Sequence, residues 1–472
     1  LAAYFYKKTN KTMRSLNLKT LILALIVLVA SCKKEGTTPT SNPVGAKQTL
    51  TLQNGAVITG VYKNTILNVP EGAFTLKGYV YFEDGSEINI AAGATIKSDV
   101  TDKGALIIER GAKINAVGTA SKPIVFTSGK AVGQRNPGDW GGIVILGKAT
   151  TNRSTEPTIE GGVGKNFGGT IDNDNSGTLK YVRIEFAGIA SQPNSEINGL
   201  TLGGVGSGTT IEYVQVAYGN DDAFEFFGGT VNAKYLVASA TADDDFDFDF
   251  GYRGKIQFGV TVRDPDFIDA GDAGNGIECD NDATGTLANP ITRPVLSNFT
   301  FIGPNADNTA SKNHTYANRF RRSTHFVLNN SVLMGWMKGG LSLESDGTYN
   351  SLVGTNATSE FKNNLLHANT AVYRIGSVAV AGASADAVRT KAEASGTITM
   401  TATTDAKLSD PFNLRAPNLL PATGSPALTG AAFTGDLSNS FFTQTAYRGA
   451  FGTTNWMAGW TNFNFTKGPN GY

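Results

Sequence analysis

Short stretches of alternating apolar and polar residues, punctuated by glycine, recur about every 20 residues through most of this chain. "LNVPEGAFTL" (67–76), "INIAAGATIK" (88–97) and "LIIERGAKIN" (106–115) align on the turn glycines Gly72, Gly93 and Gly111. A second set aligns on an aromatic residue: "GTLKYVRIEFAG" (177–188), "TIEYVQVAYG" (210–219), "NAKYLVASAT" (232–241) and "GKIQFGVTVRD" (254–264), through Tyr181, Tyr213, Tyr235 and Phe258. Weaker echoes follow in "VLSNFTFIG" (295–303), "FVLNNSVLMG" (326–335) and "EFKNNLLHAN" (360–369). A period of two is strand periodicity, and no run at helical spacing stands out after residue 50. One coil of this length cannot bury its own apolar face, so coils must stack into a column. The expected fold is all-β, a right-handed parallel β-helix solenoid over 49–472. A large antiparallel sandwich is the competing fold. It calls for hairpin signals such as Asn-Gly, and "QNGAV" (53–57) is the best of few.

The sharpest alternation is "ADDDFDFDFG" (242–251). On one strand, Phe246, Phe248 and Phe250 share a face, and Asp245, Asp247 and Asp249 share the other. The rings are expected inside. If coils step as proposed, Asp221/Asp222, Asp243/Asp244 and Asp264/Asp266 stack at the inter-strand spacing of about 4.8 Å. Carboxylates that close repel unless a cation, a base or a proton intervenes. Asp221, Asp222, Asp243, Asp244, Asp245, Asp247, Asp249, Asp264 and Asp266 are therefore candidate ligands for a hard, oxygen-ligated cation such as Ca2+. The competing account is turn chemistry and a solvated face, since Asp is also a turn residue. "DNDNSGT" (172–178) lacks the distal Glu of a calcium loop and is not read as one.

The N-terminal region reads as export. Residues 1–12 are expected to be an over-extended start, with Met13 opening a signal peptide (13–31) that carries Arg14, Lys19 and the apolar run "LILALIVLVA" (21–30). That run is too short to span a bilayer, which takes about 20 residues. "LVASC" (28–32) resembles a bacterial lipobox, which implies cleavage before Cys32 and its acylation. Residues 32–48 are then the acylated cysteine and a polar, flexible tether. Only two cysteines occur, so Cys279 is left without a disulfide partner. Lys+Arg and Asp+Glu balance at 40 each. Five of the basic residues lie within residues 1–32, leaving the remainder mildly acidic, with nothing that points to nucleic acid.

"INAVGTASKPIVFTSG" (114–129), "GDWGGIVILGKA" (138–149), "NDDAFEFFGGTVNAKYLVA" (220–238) and "DDDFDFDFGYRGKIQFGV" (243–260), in that order, resemble secreted or lipid-anchored β-helix proteins common in Bacteroidetes. "LLPATGSPALTGAAF" (419–433) is similar to the Ser-Pro-Ala close of many β-helix domains. The resemblance implies a fold and a compartment, the outer membrane or cell surface through a lipid anchor, and no particular activity.

Two functions follow. One is a rigid scaffold that binds a glycan, a surface polymer or an outer-membrane protein without catalysis, and this is the reading adopted. The alternative is a Ca2+-dependent polysaccharide lyase or glycoside hydrolase of the β-helix type. Arg253, Arg263, Arg319, Arg321 and Arg322, with His314 and His325, are candidate ligand contacts, because "NHTYANRFRRSTHF" (313–326) suits an anion or sugar surface. No zinc spacing, nucleophile elbow or phosphate loop is present. Trp140 in "GDWGG" is read as a core residue beside a turn before a sugar platform. An arginine facing the acids across a groove would favour the lyase, and exposed aromatics along one sheet the binder.

Overall fold

The computed structural model describes residues 47–468 except 193–194, 270–272 and 307–312. Cys32, the signal and most of the tether lie outside the described residues. The fold is a right-handed parallel β-helix: its main sheet of 28 strands winds round one axis, and every pairing within it is parallel. The antiparallel sandwich is excluded. The only antiparallel strand pairs among the described residues are two short ones outside the column, Ala190–Gln192 with Ser195–Glu196 and Leu408–Asp410 with Asn418–Pro421.

Each coil contributes to three faces. The first face stacks Ile143–Leu146, Leu200–Gly203, Phe224–Phe227, Phe246–Asp249, Ile277–Cys279, Tyr316–Arg321, Gly339–Glu344 and Ala371–Gly376. In the middle coils the other two faces are made by single long strands that bend midway, and elsewhere by pairs of short strands. In Gly177–Glu185, Thr210–Ala217, Asn232–Ser239 and Lys255–Val262 the bend falls on Tyr181, Tyr213, Tyr235 and Phe258, with φ of 52°, 55°, 61° and 64°. The same corner passes to Asn298, Asn330 and Asn363 in later coils, at φ 59°, 56° and 56°. Asparagine tolerates this left-handed conformation; aromatic residues resist it and need compensation. Stacking supplies part of it, with ring centroids 4.4, 4.3 and 5.0 Å apart along the four rungs. The aromatic alignment read from sequence is thus one rung per coil.

The glycine alignment is correct for two of its three members. Gly72 and Gly93 turn between the same two faces of successive coils, but Gly111 turns off the first face and stacks on Gly85, whose N–H donates to the Gly111 carbonyl. The offset arises because Ile88 pairs with Ile114, so the third coil is one strand out of the sequence alignment.

Inside the column Phe224 lies over Phe246 and Phe226 over Phe248, with centroids 5.2 and 5.0 Å apart. Trp140 is buried against Phe126 and donates its indole N–H to the Glu185 carbonyl, so it is a core residue. Cys279 is buried, unpaired and inward. Two helices depart from the all-strand expectation, Asp346–Val353 and Ala385–Ala394, each N-capped by a serine, Ser345 and Ser384. Their buried residues, Leu352 and Val388 among them, join the column's core.

After the helices the chain runs back along the outside. Gln215 and Gln257 hydrogen-bond to Asn462 and Thr443, and Asn298 and Asn330 to Tyr447 and Ala432. This strap covers the apolar outer side of Val237, Val260, Ile302 and Val332. Trp460, fully buried, meets Tyr181 and Tyr213 edge-on at 5.9 Å. Trp460→Ala should cost about 3–5 kcal/mol. It should also open the strap to protease before the column, measured by urea unfolding and limited proteolysis; an unchanged midpoint would refute the strap's role.

Candidate cation site on the first face

The alternation of "DFDFDF" decides which groups leave the column. Phe246 and Phe248 point inward and are wholly buried, and Asp247 and Asp249 point outward. Register then builds a row on the outer surface, in which Glu225 pairs with Asp247, Asp247 with Glu278, and Glu278 with Arg319. At the corner before these strands stand Asp221, Asp222, Asp243 and Asp244. Three sets of carboxylates come within 4.8 Å of one another: Asp221, Asp222 and Asp243; Asp222, Glu225 and Asp247; and Asp244, Asp247 and Glu278. Asp222 belongs to the first two sets and Asp247 to the last two, so the sets fuse into one band.

The corner also carries turn chemistry. Asp222 accepts from the Asp244 backbone N–H at 2.8 Å, and Asp244 accepts from that of Asn275. One oxygen of each therefore caps the next coil, and the second remains for the cluster. Glu225 accepts from the Asn198 amide. Asp247 keeps a buried Oδ1 with no hydrogen-bond partner. From the loop that overhangs this face, Glu160 and Glu196 add charge near Asp221.

Burial raises these carboxyls, and their neighbours raise them further. Asp221, Asp222 and Glu225 are pushed well above the usual carboxylate range by burial first and by adjacent acids second. Asp244 and Asp247 rise to about 7 for the same reasons, with Arg263 and Arg321 respectively pulling them back. Asp249 is raised by burial and by Asp247, but it lies outside the three sets.

Four placements correct the sequence reading. Phe250 does not join Phe246 and Phe248 inside: at φ 53°, past the end of the strand, it leaves the row and packs on Phe227 outside the column's core. Asp245 does not share the outer face: it sits in the corner, wholly buried, accepts the Thr241 hydroxyl and faces Arg263 at 3.5 Å. Asp264 and Asp266 do not stack on Asp243 and Asp244, because an insertion follows Val262 and Asn275 takes that rung. Asp264 instead accepts from Tyr218 and pairs with Lys467 of the strap.

The basic candidates divide. Arg319, Arg321 and Arg322 do reach the acidic band: Arg319 pairs with Glu278 at 3.0 Å and Glu344 at 3.2 Å, Arg321 with Asp280 at 2.8 Å and with Glu278, and Arg322 with Asp280 at 2.6 Å. Arg263 lies beneath the band, buried, donating to the carbonyls of Thr241, Asp243 and Asn275. Arg253 lies apart and pairs with Asp172 at 2.7 Å. His314 is buried in the interior and His325 bonds Thr358 in a separate cleft, so neither is at the site. Glu160 was not foreseen, since only the fold of its loop brings it near.

A carboxyl raised on folding binds its proton more tightly in the folded state. That favours folding below its unfolded value near 4 and is lost as pH rises through about 7. Metal-free protein should therefore melt progressively lower from pH 5 to pH 8, while Asp247→Asn should flatten the decline. A melting curve that rises over this interval would contradict the assignment.

Comparison with curated proteins and comparison with solved structures each found no match. A family profile described as "Pectate-lyase like beta helix domain" matches residues 46–461, which include every coil and most of the strap. The chain belongs to this pectate-lyase-like β-helix domain family.

Proposed function

We propose that the chain is a cell-envelope lipoprotein whose first face binds a carboxylated polymer through a hard divalent cation, without cleaving it. The observation that carries this reading is the fused band of three carboxylate sets sharing Asp222 and Asp247. Two full charges at 4 Å repel by about 4 kcal/mol near a protein surface, so the band is costly when ionised and empty. Ca2+, taking six to eight oxygens, fits this donor set, and a bound cation with unfilled positions attracts carboxylates from outside. Export and a lipid at Cys32, from the signal and lipobox, would place that face at the outer membrane or cell surface.

The arginines favour a role without catalysis. Elimination from a uronate needs a base, and a guanidinium must first lose its proton. Arg319 is held cationic by its pairs with Glu344 and Glu278. One observation favours the second reading, a polysaccharide lyase: burial and the adjacent Arg322 charge lower Arg321 beside the acidic band.

Ca2+ added to metal-free protein at pH 8 should raise the melting temperature in a dose-dependent way, and Glu225→Gln with Asp247→Asn should abolish the rise. Polygalacturonate should then bind only with Ca2+ present, and its solution should gain no ultraviolet absorbance from unsaturated product. No thermal shift would refute the cation site. Absorbance growth that Arg321→Lys abolishes would establish the lyase instead.

A further inference from the structure

A cleft of about 590 Å3, with no residue of the acidic band in its lining, opens beside a different face of the column. That face stacks Val295–Ser297, Val327–Asn329 and Glu360–Lys362 in register. The strap lies over the first two rungs, where Leu437 and Phe442 pack with Val295 and Val327. In the third rung Glu360 takes the place of Val327 and Lys362 that of Asn329, so an apolar cover has nothing to seal there. The helix Ala385–Ala394 borders the cleft: it buries Val388 and Ala392 and leaves Lys391 in the lining. Arg293, His325 and Thr358 each stand two residues before the paired Val295, Val327 and Glu360, and so share one corner.

The lining carries the cations Arg293, Lys362 and Lys391 against the carboxylates Glu360 and Asp436. Asp436 of the strap pairs with Arg293 at 2.6 Å, and Arg293 also donates to the Thr358 carbonyl. Glu360 pairs with Lys362 at 2.7 Å and accepts from the Asn329 amide. Lys391 pairs with no carboxylate among the described residues, and its place in the last turn of its helix favours the charged form. His325 meets Thr358 Oγ1 at 3.1 Å through Nδ1. Burial and then the Arg293 charge lower this imidazole, so it is neutral at pH 7 and suited to hydroxyls. The guanidinium fork that would grip a planar carboxylate is thus spent. Ammonium charge from two elements remains, and ammonium groups act as point charges toward a tetrahedral phosphate. The volume is that of a small-molecule site.

We propose that this cleft binds a phosphate monoester borne on a small hydroxylated molecule, with Lys362 and Lys391 holding the phosphate and His325 and Asp436 facing the hydroxyls. This site is separate from the cation band and does not rest on it.

Isothermal titration of the full chain in EDTA, which keeps divalent cations out of the band, tests this cleft alone. Glucose 6-phosphate is the probe, with inorganic phosphate, glucose and galacturonate as comparisons. The parent should bind glucose 6-phosphate about tenfold more tightly than any of the three. Lys391→Gln and Lys362→Gln should each weaken that binding about tenfold, while Lys391→Arg, which keeps the charge, should bind as the parent does. Should Lys391→Gln melt below the parent, Lys362→Gln on the strand decides alone. No binding of glucose 6-phosphate, equal affinity for galacturonate, or parent-like affinity in both glutamine variants overturns the site. Inorganic phosphate bound as tightly as glucose 6-phosphate overturns the hydroxyl contacts.

Discussion

In-register parallel stacking governs everything else in this molecule. A residue sits over its equivalent in the next coil at about 4.8 Å, whatever its chemistry. For rings that distance is attractive, and the Phe224–Phe246 and Tyr213–Tyr235 contacts each add stabilisation beyond area burial. For carboxylates it is repulsive, and Glu225, Asp247 and Glu278 cannot move apart without breaking the ladder that holds Phe224, Phe246 and Ile277 inside. The fold thus locks an unfavourable arrangement in place with a favourable one.

Neighbouring groups limit the damage unevenly. Toward the N-terminal end the outer side of this face is apolar and covered by its loop, with Ile159, Val163 and Phe167 over Val144 and Leu146. Toward the C-terminal end Arg319 and Arg321 end the acidic row by direct pairing. In the middle the overhanging loop brings Glu160 and Glu196, which add negative charge, and Arg321 offsets Asp247 only in part. Arg263 faces Asp245 and the backbone from below, so the outward oxygens of Asp222 and Asp247 gain little from it. Buried charges left uncompensated normally disappear from proteins or take up a proton or a metal.

How much of this was readable in the sequence depended on how local each cause is. Phe and Asp alternate within one strand, so the inward faces of Phe246 and Phe248 and the outward faces of Asp247 and Asp249 followed from the residues alone, whereas Phe250 lies past the strand's end and leaves the row. Tyr181, Tyr213, Tyr235 and Phe258 also aligned correctly, because no insertion interrupts the corner they occupy. Asp264 and Asp266 were misplaced because the insertion after Val262 moves the next rung to Asn275, a change of register that spacing cannot reveal. Asp245 was misassigned because it precedes the strand, where strict alternation no longer applies. Glu160 and the strap could not be read at all, since each contributes through contacts between distant parts of the chain.

The same stacking bears on catalysis. Arg321 lies opposite Asp280 and also reaches Glu278, and Arg322 shares Asp280. Loss of a proton from Arg321 would leave Asp280 and Glu278 with less compensation in a partly buried site, a penalty added to the already high cost of neutralising a guanidinium. A cation at Asp244, Asp247 and Glu278 changes that balance: it would relieve Glu278 and Asp247 together and loosen the hold of the acids on Arg321. Cation binding at those carboxylates would therefore couple to arginine basicity through Glu278. A scaffold and a lyase differ here by how far that one carboxylate is drawn from the guanidinium to the metal.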